Sequence, residues 1–525
     1  MSATPESSST AAAAAPGPAP AASAASDVSD RTGAASPANQ QGLVRNTFYL
    51  TAAQAATIPL SVVTNALTGR YLGPAEFGYL YLATTLCSFG VLGMEWGVQG
   101  ALPALVARDR SRAGALLGTS MVWRGMSSLV VSGVLALLCW VLGYQRGVVW
   151  AVALSFPLAI LNSVAGGFKD AIRGFERTDI PAVAHVGQQL LGVVVLIPVL
   201  MLGGDLRALL LSQIAVAGVT ALYLRRSLKS VGIGALKFEK SSLKPLLALG
   251  TPFVFVSLAI ALGPNINATF LGKLVPPEVI GWFSVSQRLI GLLIFPASAL
   301  VGALYPTLCR LFVEDHAEFV RVSRSALYGV TLLAIPAAVG CGVFAEIGVA
   351  IFGTREFSGA TEHLRVMSLF IFLVYFSMPL GTTILAANRQ KIWTVVQCIC
   401  LLISLVGNPF LIPYFQKSWA NGAIGTCITL VVSELLVVAC GVGLAPRGLF
   451  DRGFGKSLLL ATASGIAMVA VALLTKPISL FLAVPLSLLT YGAGAWFSGA
   501  VQPPTIEMIK RVLGRKLARF RKTPS

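Results

Sequence analysis

A chain of 525 residues with 55% hydrophobic and only 11% charged side chains is not an ordinary soluble protein, where charged residues make up roughly 25%. Its mean hydropathy of +0.78 points to a polytopic membrane protein. The net charge of +18 does not mark a nucleic-acid binder, because the basic residues fall in alternate short loops, which is a topology signal.

Residues 1–41 are Ala, Ser, Pro and Gly with few large apolar side chains. No apolar stretch there precedes a small-residue cleavage site, so the segment reads as a disordered cytoplasmic tail and not as a signal peptide. Beyond it, apolar runs long enough for helical spans are predicted at 46–68, 78–104, 115–142, 147–168, 180–202, 206–225, 246–270, 280–304, 325–352, 364–387, 392–414, 421–445, 455–475 and 478–499. In lipid the backbone must satisfy its own polar groups, and the alternation expected of a membrane barrel is absent, so the spans are helices. Loops after even-numbered spans carry 20 Lys and Arg residues against 8 after odd-numbered ones. The even loops and both termini are therefore expected in the cytoplasm.

The chain repeats itself. Leu67–Asp109 and Phe270–Phe312 align without a gap at an offset of 203, pairing Gly69 with Gly272, Arg70 with Lys273, Pro74 with Pro277, Gly78 with Gly281, Tyr79 with Trp282 and Pro103 with Pro306. Further on, Leu196-Ile197-Pro198 matches Leu411-Ile412-Pro413 at an offset of 215. Spans 1–6 and 7–12 are thus parallel repeats of one orientation, with spans 13 and 14 outside them. The expected organisation is an all-α membrane protein of about fourteen helices. Its parts are a first lobe at 42–226, a cytoplasmic linker at 227–245, a second lobe at 246–446, two extra helices within 447–502 and a tail at 503–525. In that tail Ile506, Ile509, Val512, Leu513, Leu517 and Phe520 recur at helical spacing opposite a basic face. It reads as an amphipathic surface helix against anionic lipid.

The eight cysteines show no metal-ligand or disulfide spacing and read as small buried apolar residues. The three histidines make no metal cluster. No phosphate-binding Gly-rich loop with a lysine is present, and the outer loops are too short for a surface active site, so neither an ATPase nor a membrane enzyme is indicated and no cofactor or metal is expected. Transporters of repeated architecture bind substrate near the midplane between repeats, and ionisable residues inside spans mark such sites. The candidates are few. Arg124 falls ~15 Å and Arg288 ~12 Å into their spans. Glu95, Glu434 and Glu346 are candidates for ion coupling, and Asn65, Asn265 and Asn267, at the ends of spans 1 and 7, for lining a cavity. Competing structural readings make Arg124 an ion-pair partner of Glu95 and Arg288 a donor to carbonyls freed at Pro296 or Pro264. In the same vein Glu434 and Glu346 are interhelical glue and the asparagines helix contacts. Pro59 and Pro252 are expected to kink spans 1 and 7.

The stretch Arg70-Tyr71-Leu72-Gly73-Pro74-Ala75-Glu76-Phe77-Gly78-Tyr79 resembles the turn after the first span of bacterial polysaccharide flippases. Gly281-Trp282-Phe283, Gln287-Arg288-Leu289, Pro296, Pro306, Ile351-Phe352-Gly353, Phe357, Leu385-Ala386-Ala387-Asn388-Arg389-Gln390 and Gly422-Ala423 fit the same family in order, over about residues 43–445. The resemblance extends to the superfamily of multidrug exporters, lipid II flippases and O-antigen or exopolysaccharide flippases. It implies a MATE-like bundle of two six-helix lobes around a central cavity. It also implies movement of an undecaprenyl-pyrophosphate-linked oligosaccharide across the bacterial inner membrane, with membrane lipids, and a polymerase and glycosyltransferases, as possible partners. A cation-coupled drug exporter of the same architecture and a non-transporting scaffold for polysaccharide enzymes are the competing functions.

Overall fold

The computed structural model describes residues 37–353 and 355–501. The expected tails at 1–41 and 503–525 therefore lie outside the described residues, except for the last five of the first. Fifteen α-helices and one short 3-10 turn, and no strand, are present among the described residues. They run α1 Pro37–Glu95, α2 Val98–Arg108, α3 Ala113–Val141, α4 Arg146–Gly174, α5 Asp179–Met201, α6 Leu206–Ser230, α7 Lys240–Leu274, α8 Pro277–Glu314, α9 His316–Val343, α10 Ala345–Ala350, α11 Gly359–Ala386, α12 Gln390–Trp419, α13 Ala423–Leu444, α14 Arg452–Thr475 and α15 Leu480–Phe497.

Twelve stretches among the described residues are long and apolar enough to cross a membrane, and the chain is a multi-pass membrane protein. The first of the twelve, Ala56–Arg108, is 53 residues long and contains two breaks. At Gly73 the backbone turns to φ 71, a left-handed value that glycine adopts at no steric cost. At Trp96 and Gly97 it does so again, separating α1 from α2. Gly73 is the non-helical residue inside α1, where two helices join across a kink, and the expected kink site Pro59 lies within the helix before it. The side chain of Pro252 lies outside the described residues.

Helix α1 packs on α3, α4 and α5 within the first lobe, and α8 packs on α9 and α11 within the second. The lobes meet where α1 and α2 lie against α7 and α8. The repeat is visible at that seam. A Cβ on Gly78 would lie 2.1 Å from the Pro277 carbonyl oxygen, and one on Gly281, its repeat equivalent, 2.0 Å from the Pro74 carbonyl oxygen. Small residues let the two turns touch backbone to backbone, reciprocally. Helices α14 and α15 pair with each other and lean on α9.

Two expectations shift. Span 9 was expected at 325–352, but α9 begins at His316, where Asp315 caps the Glu318 amide, and stops at Val343 before a separate short α10. Capping starts a helix before its apolar run begins. The linker is also shorter and better held than the 227–245 expected: α6 continues to Ser230 and α7 starts at Lys240. The segment between them is fastened to α3 by Lys237 N donating to Gly114 O and by Thr119 Oγ1 bonding both N and O of Glu239. All eight cysteines are free, and Cys398 is exposed rather than buried.

Candidate functional site

The seam between the lobes is closed at the end that the loop charges assign to the outside. There Phe77 packs with its ring centroid 6.1 Å from Phe352 and 6.0 Å from Phe357, and all three rings are buried. Arg70 crosses the seam and donates from Nε to Ile351 O at 2.8 Å and from Nη2 to Ala350 O at 3.0 Å. It thereby satisfies carbonyls left open at the end of α10. Its repeat equivalent, Lys273, crosses the other way and sits 5.2 Å from the centre of the Tyr144 ring. The Tyr144 hydroxyl in turn donates to Thr269 O at 3.3 Å.

Beneath this seal a cavity of about 260 Å³ lies between α1 and α8. Ile58, Ser61, Val62 and Asn65 form one wall, and Arg288, Leu292 and Phe295 the other. The Arg288 guanidinium sits 4.4 Å from the centre of the Phe77 ring. No carboxylate pairs with it and no hydrogen bond from it to a carbonyl is present among the described residues. The carbonyls freed near Pro296 are thus not its partners among the described residues. A cation–π contact orients a guanidinium without neutralising it, so its fork of N–H groups remains available to an anion. Asn65 donates from Nδ2 to Ser61 O at 2.7 Å, and the same residue lines the cavity.

Arg124 is elsewhere, and its expected place in a common chamber with Arg288 is corrected. It is 1% exposed inside the first lobe. Its Nη1 reaches Glu95 Oε1 at 2.9 Å, Ser163 O at 2.5 Å and Ser163 Oγ at 3.0 Å, and its Nη2 reaches Asp170 Oδ2 at 3.3 Å. Gly166 and Gly167 leave room for the guanidinium on α4. With both forks occupied by two carboxylates, Arg124 ties α3 to α1 and α4. Glu95 is one of those carboxylates and not a free coupling group. Asp170 escaped the sequence reading because it lies two residues past the expected end of span 4.

In the second lobe a cavity of about 390 Å³ is lined by Asn267, Gln287, Gln397, Ser433 and Glu434, among others. Asn267 is buried and accepts from Asn408 Nδ2 at 2.7 Å. Glu434 accepts from Ser377 Oγ and has no cationic partner among the described residues. Glu346 is a different case and a second correction. Its side chain is 51% exposed on α10 and is neutralised by Lys476 at 2.8 Å and Arg365 at 3.0 Å. Asn265 is half-buried on α7 and lines neither cavity.

Residues 43–312 match the family described as polysaccharide biosynthesis protein. No curated protein matches the chain by sequence. The fold is similar to that of the lipid II flippase MurJ in an inward closed conformation. That match has a TM-score of 0.68 and 12% identity over 88% of this chain and 99% of that one. It is also similar to an inward-facing multidrug resistance MATE family transporter of the MOP superfamily, with a TM-score of 0.60 and 16% identity over 74% of this chain and 94% of that one. A MOP superfamily transporter from Pyrococcus furiosus matches with a TM-score of 0.51 and 16% identity over 76% and 95% of the two chains.

Proposed function

The chain belongs to the polysaccharide biosynthesis protein family, and from that premise we propose that it carries an undecaprenyl-pyrophosphate-linked oligosaccharide from the cytoplasmic to the outer leaflet of the bacterial inner membrane by alternating access. Arg288 carries the reading. It is a cation without a carboxylate partner among the described residues, in a cavity between the lobes and under a seal. An unpaired ionised group at membrane depth is costly unless something pairs with it, and a pyrophosphate supplies the missing charge. The isoprenoid tail can stay in the bilayer while the headgroup passes between the lobes. Both termini and the even-numbered loops would face the cytoplasm, and the α1 stretch would pass twice, with α7 crossing as well, to make fourteen spans. Glycosyltransferases that build the substrate and a polymerase that consumes it would be the working partners.

In a host that depends on this protein for surface polysaccharide, Arg288→Ala is expected to lower surface polymer at least tenfold at unchanged protein levels, with Arg288→Lys intermediate because a point charge replaces a two-pronged donor. Normal polymer in Arg288→Ala cells would remove the residue from the mechanism. A second reading, a cation-coupled drug exporter, draws on Glu434, the half-buried carboxylate in the second-lobe cavity. In that case expression would raise drug tolerance, Glu434→Gln would abolish the gain, and Arg288→Ala would not. The scaffold reading depends on 503–525, and deleting that segment without loss of polymer would end it.

A further inference from the structure

The first lobe holds a cavity of its own. It measures about 280 Å³ and is lined by Thr64 from α1, Asn162 from α4, His185, Gln188 and Gln189 from α5, and Gln213 from α6, among others. It is the repeat counterpart of the second-lobe cavity. The offset of 203 carries Thr64 onto Asn267, and the offset of 215 carries His185 onto Cys400 and Gln189 onto Ser404, and all six line their respective cavities. The two have since diverged in charge. The second-lobe cavity contains Glu434, whereas no Asp, Glu, Lys or Arg lines the first-lobe one.

Four of its polar lining residues, Asn162, Gln188, Gln189 and Gln213, are amides, beside Thr64, Ser212 and His185, and the amides are underused. Gln188 Nε2 donates to Asn162 Oδ1 at 3.3 Å. No hydrogen bond to the side chain of Gln189 or Gln213 is present among the described residues. An amide presents two donors and an acceptor, which matches a hydroxyl that both donates and accepts. Aliphatic walls from Leu158, Leu196 and Leu209 suit the C–H faces of a sugar ring. The volume is close to the lower end of small-molecule sites, roughly 300–1,000 Å³, and suits one ring rather than a chain. A cation would find no carboxylate among the lining residues. On the same helix, Thr64 lines this cavity and its neighbour Asn65 lines the one with Arg288.

We infer that the first-lobe cavity is a binding site for one neutral sugar ring, held by Gln189 and Gln213. Placing that ring next to a pyrophosphate rests on the function proposed above. The site itself is tested separately, with free sugars. The full-length protein in lipid nanodiscs is titrated with N-acetylglucosamine, glucose and galactose, and in parallel with inorganic pyrophosphate, and its thermal midpoint is followed. At least one of the sugars should raise the midpoint saturably. Gln189→Leu with Gln213→Leu should weaken that response at least tenfold, and Arg288→Ala should remove the pyrophosphate response but not the sugar one. Gly192→Leu fills the same cavity while keeping every polar group. A Cβ at Gly192 meets nothing within 4 Å, so this variant serves if the double leucine variant fails to fold. The inference is overturned if none of the three sugars shifts the wild type, or if the filled and amide-deleted variants respond as the wild type does. A sugar response that needs Gln189 and Gln213 without any pyrophosphate response would uphold this site and remove the headgroup reading.

Discussion

Arg124 and Arg288 look alike in the sequence, as single arginines well inside apolar runs, and the structure gives them different work. Arg124 has two carboxylates and a backbone carbonyl around it, whereas Arg288 has an aromatic face. Removing Arg124 leaves the half-buried Glu95 with no cationic partner among the described residues and the buried Asp170 with only the half-exposed Arg173 at 3.5 Å. Breaking a buried pair in this way costs up to ~3–5 kcal/mol. Arg124→Ala should therefore reduce folded protein, read by size-exclusion profile and thermal midpoint in detergent. Adding Glu95→Gln and Asp170→Asn to it should restore much of the loss. Restored folding with transport intact would show that the cluster holds the lobe together and does not touch substrate. Hydropathy could flag both arginines but not sort them, because sorting depends on which face of each helix meets which neighbour. Gln189 and Gln213 were missed for a simpler reason: uncharged amides do not stand out in an apolar run as ionised groups do.

Among the elements, the duplicated turns were the most legible. Their Gly and Pro spacing set the repeat, and the structure explains the spacing, since Gly78 and Gly281 each admit the other turn's carbonyl. Gly78→Ala and Gly281→Ala should each wedge the outer seal open. In a cysteine-free background, Asn65→Cys sits beneath the seal and should then react faster with a membrane-impermeant maleimide added from outside. Unchanged labelling would mean that the seal does not depend on this contact. Helix starts were less legible, since α8 to α9 turns on Asp315 alone and hydropathy sees only the apolar stretch. Helix α14 has a similar start. Asp451 caps the Phe454 amide at 2.7 Å and meets Arg324 at 2.8 Å and the Tyr328 hydroxyl at 2.8 Å. Partial burial works to raise its carboxyl's pKa, but the Phe454 amide, Tyr328 and Arg324 outweigh it and hold it below the usual aspartate value. A depressed carboxyl stabilises the fold above its unfolded-state pKa, and that share is lost as the pH falls through the lower folded-state value. Asp451→Asn should flatten the acid limb of the stability profile, and Asp451→Ala should cost about 0.5–2 kcal/mol through the lost cap.

At the scale of the whole molecule, two related lobes meet along α1, α2, α7 and α8 and are sealed at one end by Arg70, Phe77, Phe352 and Phe357. The two-lobe plan was readable because duplication leaves a periodic trace that hydropathy and loop charge both follow. The distribution of cavities was not, because hollows such as the one at the seam and the one in each lobe arise from helix packing that no local pattern encodes. The most direct measurement is the leaflet distribution of the lipid-linked oligosaccharide in cells carrying wild-type protein or Arg288→Ala at equal amounts. The pyrophosphate-linked lipid should accumulate on the cytoplasmic leaflet in the variant and be depleted from the outer one. An unaltered distribution between leaflets would contradict the passage of a pyrophosphate headgroup past Arg288.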